Sequence, residues 1–302
     1  MRGEKEQHCL DTVKNLVFTK DGKPCCNPFT GKNYLEASDE EFKKEQVWYI
    51  NSDYHKYCFG LLEKDRIEFE NILKTALPNC DLSAFPDFVF SNGFIEHFQV
   101  TSSRENRKGS THSKQMNEFV AKVERETANL KRDWNETPSF HCVRSQSWSI
   151  SNPQHSHDFL IDSFHNNWES HLKSLNQYTG RADIGIFLIE CSDFALSMCE
   201  NVYADWIDGM SQGDMREQEK FKCYRLTRDK KMLEYIYQFK GQIQYVIFVY
   251  CQGIEIIKTE NIPYLLKLMP WDYIIYPMQV TTVSSLYNIS IPADCSEKDE
   301  QQ

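Results

Sequence analysis

The chain has 302 residues, 40% of them hydrophobic and 26% charged, enough apolar material for one large core or two modest ones, and this excludes the disordered and collagen-like classes. Its formal net charge of -10 repels nucleic acid at long range, so any nucleic-acid contact has to rest on a local basic patch. The polar start, Met1 to Gln7, has no apolar segment behind it, and no later run approaches the roughly 18 to 20 uninterrupted apolar residues of a membrane span; a cytoplasmic chain with no membrane contact is expected.

Residues 1 to about 37 carry Gly22, Pro24, Pro28 and Gly31 among polar residues and read as an irregular extension. His8-Cys9 with Cys25-Cys26 invites a zinc reading. Adjacent cysteines, however, lack the spacer that lets both sulfurs reach one tetrahedral ion, and loop cysteines are the simpler account. The chain has eleven cysteines, an odd number, and Cys58, Cys191, Cys223 and Cys251 sit singly in apolar runs, where a reduced side chain acts as a small hydrophobe; no disulfide framework is expected.

Ser38-Asp39-Glu40-Glu41 has capping-box spacing and opens a helix toward Tyr57. A second helix is predicted over Leu61 to Leu77, with Ile67, Ile72, Leu73 and Ala76 on one face and Pro78-Asn79 ending it. After a strand hairpin from Pro86 to Val100 comes a polar loop, Ser102 to Ser113, and then a helix from Lys114 to about Trp134 with Met116, Phe119, Val120 and Val123 at helical spacing. Asn135 to His155 reads as a loop with a short strand at Phe140 to Val143. A helix follows from Asp158 to Leu175, burying Leu160, Ile161, Phe164, Trp168 and Leu172.

Ile184 to Cys191 and Tyr245 to Tyr250 are continuously apolar, as expected of strands covered on both faces. Between them, Ser192 or Asp193 caps a predicted helix to about Ile207, Gly209 to Gly213 turns, and Thr227 to Phe239 forms a Lys/Arg-rich helix. Glu255 to Lys258 and Asp272 to Val280 read as further strands separated by the Pro263 to Pro270 segment. Strands alternating with helices predict an α/β protein with a mixed central sheet flanked by helices. The expected organisation is an N-terminal extension with a helix over 1–60, an α/β core over 61–292, and a charged tail over 293–302 that frays.

The hairpin carries the candidate site. It places Asp87 at the start of one strand and Glu96, His97 and Gln99 on the next, polar groups that are costly to bury unless something such as a cation compensates them. Asn92-Gly93 is a strong turn signal that fits two registers. A two-residue Asn92-Gly93 loop makes Asp87 and Glu96 diagonal neighbours on one face. A three-residue loop with Gly93 left-handed sets Asp87 opposite His97 and on the face of Gln99, and it segregates Phe88, Phe90, Phe94, Phe98 and Val100 more cleanly from the polar side.

Pro-Asp, a hairpin, then an acid with Lys or Gln on the next strand resembles the PD-(D/E)XK nucleases, over Pro86 to Gln99 by motif and roughly Leu61 to Cys191 by element order. The match is degenerate, because the E-x-K spacing from Glu96 falls on Phe98, whereas His97-x-Gln99 restores the spacing without the acid. The resemblance implies a restriction-endonuclease-like core and Mg²⁺- or Mn²⁺-assisted phosphodiester hydrolysis, of restriction or phage-defence type, on nucleic acid, DNA ahead of RNA. It implies Asp87 and Glu96 as metal ligands, His97 as ligand or general base, and Gln99 as orienter of water or phosphate. Ser102, Ser103, Arg104, Arg107 and Lys108 at the strand end would grip a phosphate backbone, and Glu68 or Glu70 could add a carboxylate.

Other clusters carry less. His155 and His157 before Asp158, with His165 and His171 beyond, form a second metal-like cluster, which exposed loop histidines ahead of an Asp158 N-cap explain more simply. Arg225, Arg228, Lys230 and Lys231 fit a solvated helix face or a second phosphate-binding surface. Asp183 and Glu190 bracket a strand as an alternative acidic pair. No Walker A loop, GxGxxG turn or GxSxG elbow occurs. The alternative function is a non-catalytic binding or assembly protein on the same fold, with a protein partner or a homo-oligomer formed through aromatics such as Trp206, Trp271 and Tyr273.

Overall fold

The computed structural model describes residues 3–17, 38–51, 61–81, 84–104, 111–135, 142–151, 155–191, 193, 195–200, 224–250, 253–269, 272–278 and 280–289. Two compact units emerge: Met1–Arg104 with His155–Pro277, and Glu105–Gln154 with Met278–Gln302. The division expected near residue 60 is therefore not the one found. The second unit is built from an insertion in the first together with the C-terminal segment.

The elements in chain order are α1 (Glu4–Val17), α2 (Asp39–Asn51), α3 (Glu63–Thr75), β1 (Leu77–Pro78), β2 (Phe88–Phe90), β3 (Gly93–Val100), α4 (Thr111–Asn135), β4 (Cys142–Ser151), α5 (His157–Leu175), β5 (Ile184–Cys191), β6 (Leu196–Glu200), α6 (Lys230–Tyr237), β7 (Tyr245–Tyr250), β8 (Gly253–Lys258), α7 (Ile262–Leu268), β9 (Tyr273–Pro277) and β10 (Val280–Ile289). The first unit is mixed α/β. Its central sheet has six strands in the order β1-β2-β3-β5-β7-β8. The β3/β5 and β5/β7 pairs are parallel, and the flanking pairs β1/β2, β2/β3 and β7/β8 are antiparallel.

Helices cover both faces, which is why β5 and β7 read as unbroken apolar runs. On one side Phe94, Phe98 and Val100 of β3, Phe187 and Ile189 of β5, and Val246 and Phe248 of β7 pack against Leu160, Phe164 and Trp168 of α5 and Leu233 and Ile236 of α6. On the other, Ile95, Ile186, Leu188 and Ile247 pack against Leu10 and Val13 of α1 and Phe69 and Leu73 of α3. The start of the chain is thus helical over Glu4–Val17, where an irregular extension was expected. The apolar groups at 9, 10, 13 and 17 fall on one helical face and are buried there.

Local chemistry explains the helix starts. Ser38 and Glu41 form the expected capping box: Glu41 N–H donates to Ser38 Oγ at 3.3 Å and Ser38 N–H to Glu41 Oε2 at 3.0 Å. The cap of α5 is Ser156, whose Oγ accepts Phe159 N–H at 3.1 Å, and not Asp158. On α3, Ile72, Leu73 and Ala76 are buried as expected, but Ile67 is exposed. The helix expected after Asp193 is instead strand β6, paired with β9 in a separate two-stranded ladder. The Pro263 segment forms α7, with its proline in the first turn where a missing N–H costs nothing. The turn expected at Gly209 to Gly213 and the tail from Ala293 lie outside the described residues.

In the second unit, the stretch over Asn135 to His155, expected as a loop with a short strand at Phe140 to Val143, holds the ten-residue strand β4, antiparallel to β10 from Cys142↔Ile289 to Ser151↔Val280. Trp148 is buried, and its Nε1 and the Gln146 amide donate to the Glu126 carboxylate of α4.

Candidate metal and active site

The hairpin adopts neither expected register. Phe90 pairs with Gly93, Val89 with Phe94 and Phe88 with Ile95, so the turn residues are Ser91 and Asn92. Gly93 is the first strand residue and is needed for close approach rather than for turning: a Cβ there would lie 2.0 Å from the Ile184 carbonyl oxygen of β5 and 2.6 Å from Phe90 Cζ. Facial segregation misleads here because both faces are apolar; Phe88 points to the α1/α3 side and Phe94, Phe98 and Val100 to the α5 side.

Continuing this register sets Asp87 opposite Glu96. The two are linked reciprocally to the hairpin backbone: Asp87 N–H donates to Glu96 Oε2 at 3.0 Å, and His97 N–H donates to Asp87 Oδ2 at 2.8 Å. Burial first, and then the neighbouring Glu96 charge, push the Asp87 carboxyl up to about 6, against a smaller opposing pull from His97. Glu96 is buried on the α5 side, where its Oε1 lies 2.7 Å from His171 Nδ1. The His171 ring is in turn stacked on Phe98, with centroids 4.8 Å apart.

His97 and Gln99 occupy the opposite side of β3, so the four expected catalytic residues are split. His97 Nε2 lies 3.2 Å from Glu190 Oε2 of β5, and Gln99 Nε2 donates to the same oxygen at 2.8 Å. Cys9 of α1 completes this group: one ligand atom from each of Cys9, His97 and Glu190 lies within 4.8 Å of the others. Burial pushes Glu190 upward, but the hydrogen bonds from His97 and Gln99 outweigh it and hold the carboxyl below its usual range. Burial also pushes the Cys9 thiol well above its ordinary value, with the Glu190 charge adding to the effect.

At the end of β3, Ser102 and Ser103 are buried rather than presented to solvent. Ser102 Oγ donates to Asp193 Oδ1 at 2.8 Å and lies 2.7 Å from His155 Nδ1, while Ser102 N–H and Thr101 Oγ1 donate to Asp193 Oδ2 at 2.7 and 2.9 Å. The hydroxyl sits fully buried between acid and imidazole, next to the antiparallel bridge of Ser103 with His155. Of the expected phosphate grip, Arg104 is exposed, and Arg107 and Lys108 lie outside the described residues.

The remaining expectations divide similarly. His155 is buried, and His157 Nε2 lies 2.5 Å from Asp229 Oδ2, so neither is an exposed loop residue. Arg225 and Arg228 are buried, which removes them from a solvated basic face. Asp183 is exposed at the far end of β5 from Glu190, and the two do not converge. Glu70 pairs with Arg66 at 2.6 Å, and Glu68 accepts the Tyr245 hydroxyl. Cys9 and His171 were read in other clusters, Cys9 with Cys25-Cys26 and His171 with His155 and His157, and their observed partners, His97 and Glu190 for Cys9 and Glu96 for His171, were not expected from sequence. The i, i+1, i+4, i+8 spacing of Cys9, Leu10, Val13 and Val17 was a usable sign that Cys9 lies on a buried helix face.

Among the described residues no helix is long and apolar enough to cross a membrane. Comparison of the chain with family models, with curated proteins and with solved structures yields no match.

Proposed function

We propose that the protein is a metal-dependent phosphodiester hydrolase acting on nucleic acid, DNA ahead of RNA, with a restriction-endonuclease-like core and Asp87 and Glu96 as its metal ligands. The observation that carries this reading is the placement of two carboxylates opposite one another on one hairpin, with Asp87 raised to about 6 by burial and by Glu96. A like-charge pair of this kind is relieved by a cation, and perturbed acids cluster at functional sites. Within the first unit, with α4 and β4 of the second unit left aside, the order α3, hairpin, α5, β5, with β5 parallel to β3, also supports it.

The donor set suits Mg²⁺, which takes one or two carboxylates and keeps other positions for water and phosphate oxygens. Each Glu96 oxygen accepts one hydrogen bond inside the protein and retains a further lone pair. When bound, the ion supplies Lewis-acid polarisation of the phosphate and acidification of an attacking water. His171 fixes the Glu96 rotamer, His97 N–H fixes that of Asp87, and exposed Arg104 is the described cation closest in sequence to the end of β3. His97 and Gln99 turn to Glu190 and take no part in this pair.

Cleavage of plasmid and single-stranded DNA with Mg²⁺ or Mn²⁺ tests the reading. Asp87→Ala and Glu96→Gln are expected to lower the rate by about 100-fold or more, at or beyond the cost of losing a supporting residue around a metal. Equal activity in wild type and Asp87→Ala, or none with any metal while folding is intact, overturns it. The second reading, a non-catalytic binding or assembly protein, is favoured by one observation: both Glu96 oxygens already have partners within the protein.

A further inference from the structure

We propose that Cys9, His97 and Glu190 form a second and chemically different metal site, binding one zinc-class divalent cation on the α1 side of the sheet. The assignment is independent of the phosphodiesterase reading, because it uses the other face of β3 and none of the ligands named for Mg²⁺.

The donors come from three elements remote in sequence. Cys9 lies on the buried face of α1, next to Leu10 and Val13. His97 lies two residues beyond the buried Ile95 on β3, and Glu190 two residues beyond the buried Leu188 on β5. The α1-facing rows run Ile95, His97, Gln99 on β3 and Ile186, Leu188, Glu190 on β5; His97 is level with Leu188 and Glu190 with Gln99, so the imidazole and the carboxylate meet diagonally across the two strands, and α1 brings a thiol to them. A buried cysteine alone reads as a small hydrophobe. Its convergence with an imidazole and a carboxylate is what gives it a ligand's surroundings.

The spacing fits. Zinc bonds of about 2.0 to 2.3 Å in tetrahedral geometry set ligand atoms roughly 3.3 to 3.8 Å apart. His97 Nε2 and Glu190 Oε2 already stand 3.2 Å apart, and all three donor atoms lie within 4.8 Å, so the thiol corner has to close by at most about 1.3 Å. Sulfur, nitrogen and oxygen together suit zinc and its borderline neighbours, whereas Mg²⁺ and Ca²⁺ take oxygen. Supporting contacts are present: Gln99 Nε2 donates to Glu190 Oε2, and Asp87 Oδ2 accepts the main-chain N–H of His97. Gln99 is exposed and Glu190 half-buried, which leaves the fourth position open to water. On binding, the Cys9 thiol releases its proton to solvent as the sulfur–metal bond forms, and the imidazole binds in its neutral form. The ion would clasp α1 to β3 and β5.

Co²⁺ serves as the probe, added to chelator-treated, reduced full-length protein. Wild type is expected to take up one equivalent, with a near-ultraviolet thiolate-to-cobalt charge-transfer band and tetrahedral visible bands, both displaced by Zn²⁺. Cys9→Ser is expected to lose the charge-transfer band, Glu190→Gln to keep the band with affinity lowered by about 100-fold or more, and Gln99→Leu to lower affinity by about 10- to 100-fold. Glu96→Gln should leave the spectrum unchanged. No uptake by wild type overturns the proposal. So does a charge-transfer band that survives in Cys9→Ser, which would assign the metal to other cysteines, or loss of uptake in folded Glu96→Gln, which would assign it to the hairpin carboxylates. Should Cys9→Ser fail to fold, the Glu190→Gln and Gln99→Leu affinities decide, and wild-type affinity in both overturns the assignment.

Discussion

The two sides of β3 differ by a single residue step and present donors of different chemistry. On the α5 side, Glu96 faces Asp87 across the hairpin and is held by His171, an arrangement of hard oxygens. On the α1 side, His97 meets Glu190 and Cys9, a set that adds nitrogen and sulfur. In a sheet covered on both faces, alternation along a strand does not sort polar from apolar. It sorts which helix supplies the partner, and so decides which ions each side can hold.

The largest effect is expected where both sides are broken together. Gly93→Ala places a methyl 2.0 Å from the Ile184 carbonyl oxygen, a backbone atom that cannot swing away, so β5 must separate from β3. A loss of about 3 kcal/mol or more is expected in urea unfolding. An alanine variant as stable as wild type would contradict the observed register, and with it the pairing of Asp87 to Glu96.

A one-sided break comes next. His171→Ala removes the partner of buried Glu96 and the ring stacked on Phe98, for an expected loss of about 2 kcal/mol, since the histidine is itself partly exposed. The cobalt spectrum of the α1 side should be unchanged in this variant; a changed spectrum would mean that the two sides are coupled through β3.

The smallest effect is a pH dependence. The folded-state pKa of Asp87 is raised from 3.8 to about 6, so between these values this carboxyl holds more proton in the native state than in the unfolded chain, and its contribution to stability falls as pH rises. Asp87→Asn removes this contribution. In metal-free buffer the variant should match wild type below about pH 4 and exceed it by about 1 kcal/mol above pH 6, after allowance for solvent screening. Mg²⁺ should narrow the difference by stabilising wild type. A difference between Asp87→Asn and wild type that stays constant over this window would overturn the assigned cause.

Much of the scaffold was legible. Ile184 to Cys191 and Tyr245 to Tyr250 announce doubly covered strands by being apolar throughout, and they are β5 and β7. Ser38 and Glu41 announce a helix start through two reciprocal hydrogen bonds made within four residues. The stripe Leu160, Phe164, Trp168 and Leu172 announces the buried face of α5. Of strand β4 only the first residues, Cys142 and Val143, were legible, because the Ser-rich stretch that follows has weak local preference and its partner β10 lies far along the chain. The stretch after Asp193 misled in the same way: β6 is a strand only because β9 pairs with it.

The amino-acid sequence by itself determined that Asp87, Glu96, His97 and Gln99 would meet on one hairpin, since short-range turn and strand chemistry suffices for that. Only the tertiary structure decided how they are shared out. With Gly93 packed against β5 the turn falls on Ser91 and Asn92; relative to the three-residue loop this is a one-residue shift that sets Asp87 opposite Glu96 instead of His97, whereas the two-residue loop already placed Asp87 and Glu96 on one face. That register gave Glu96 to Asp87 and His171, and the burial of α1 gave Cys9 to His97 and Glu190, contacts between residues too distant in the chain for any local pattern to record.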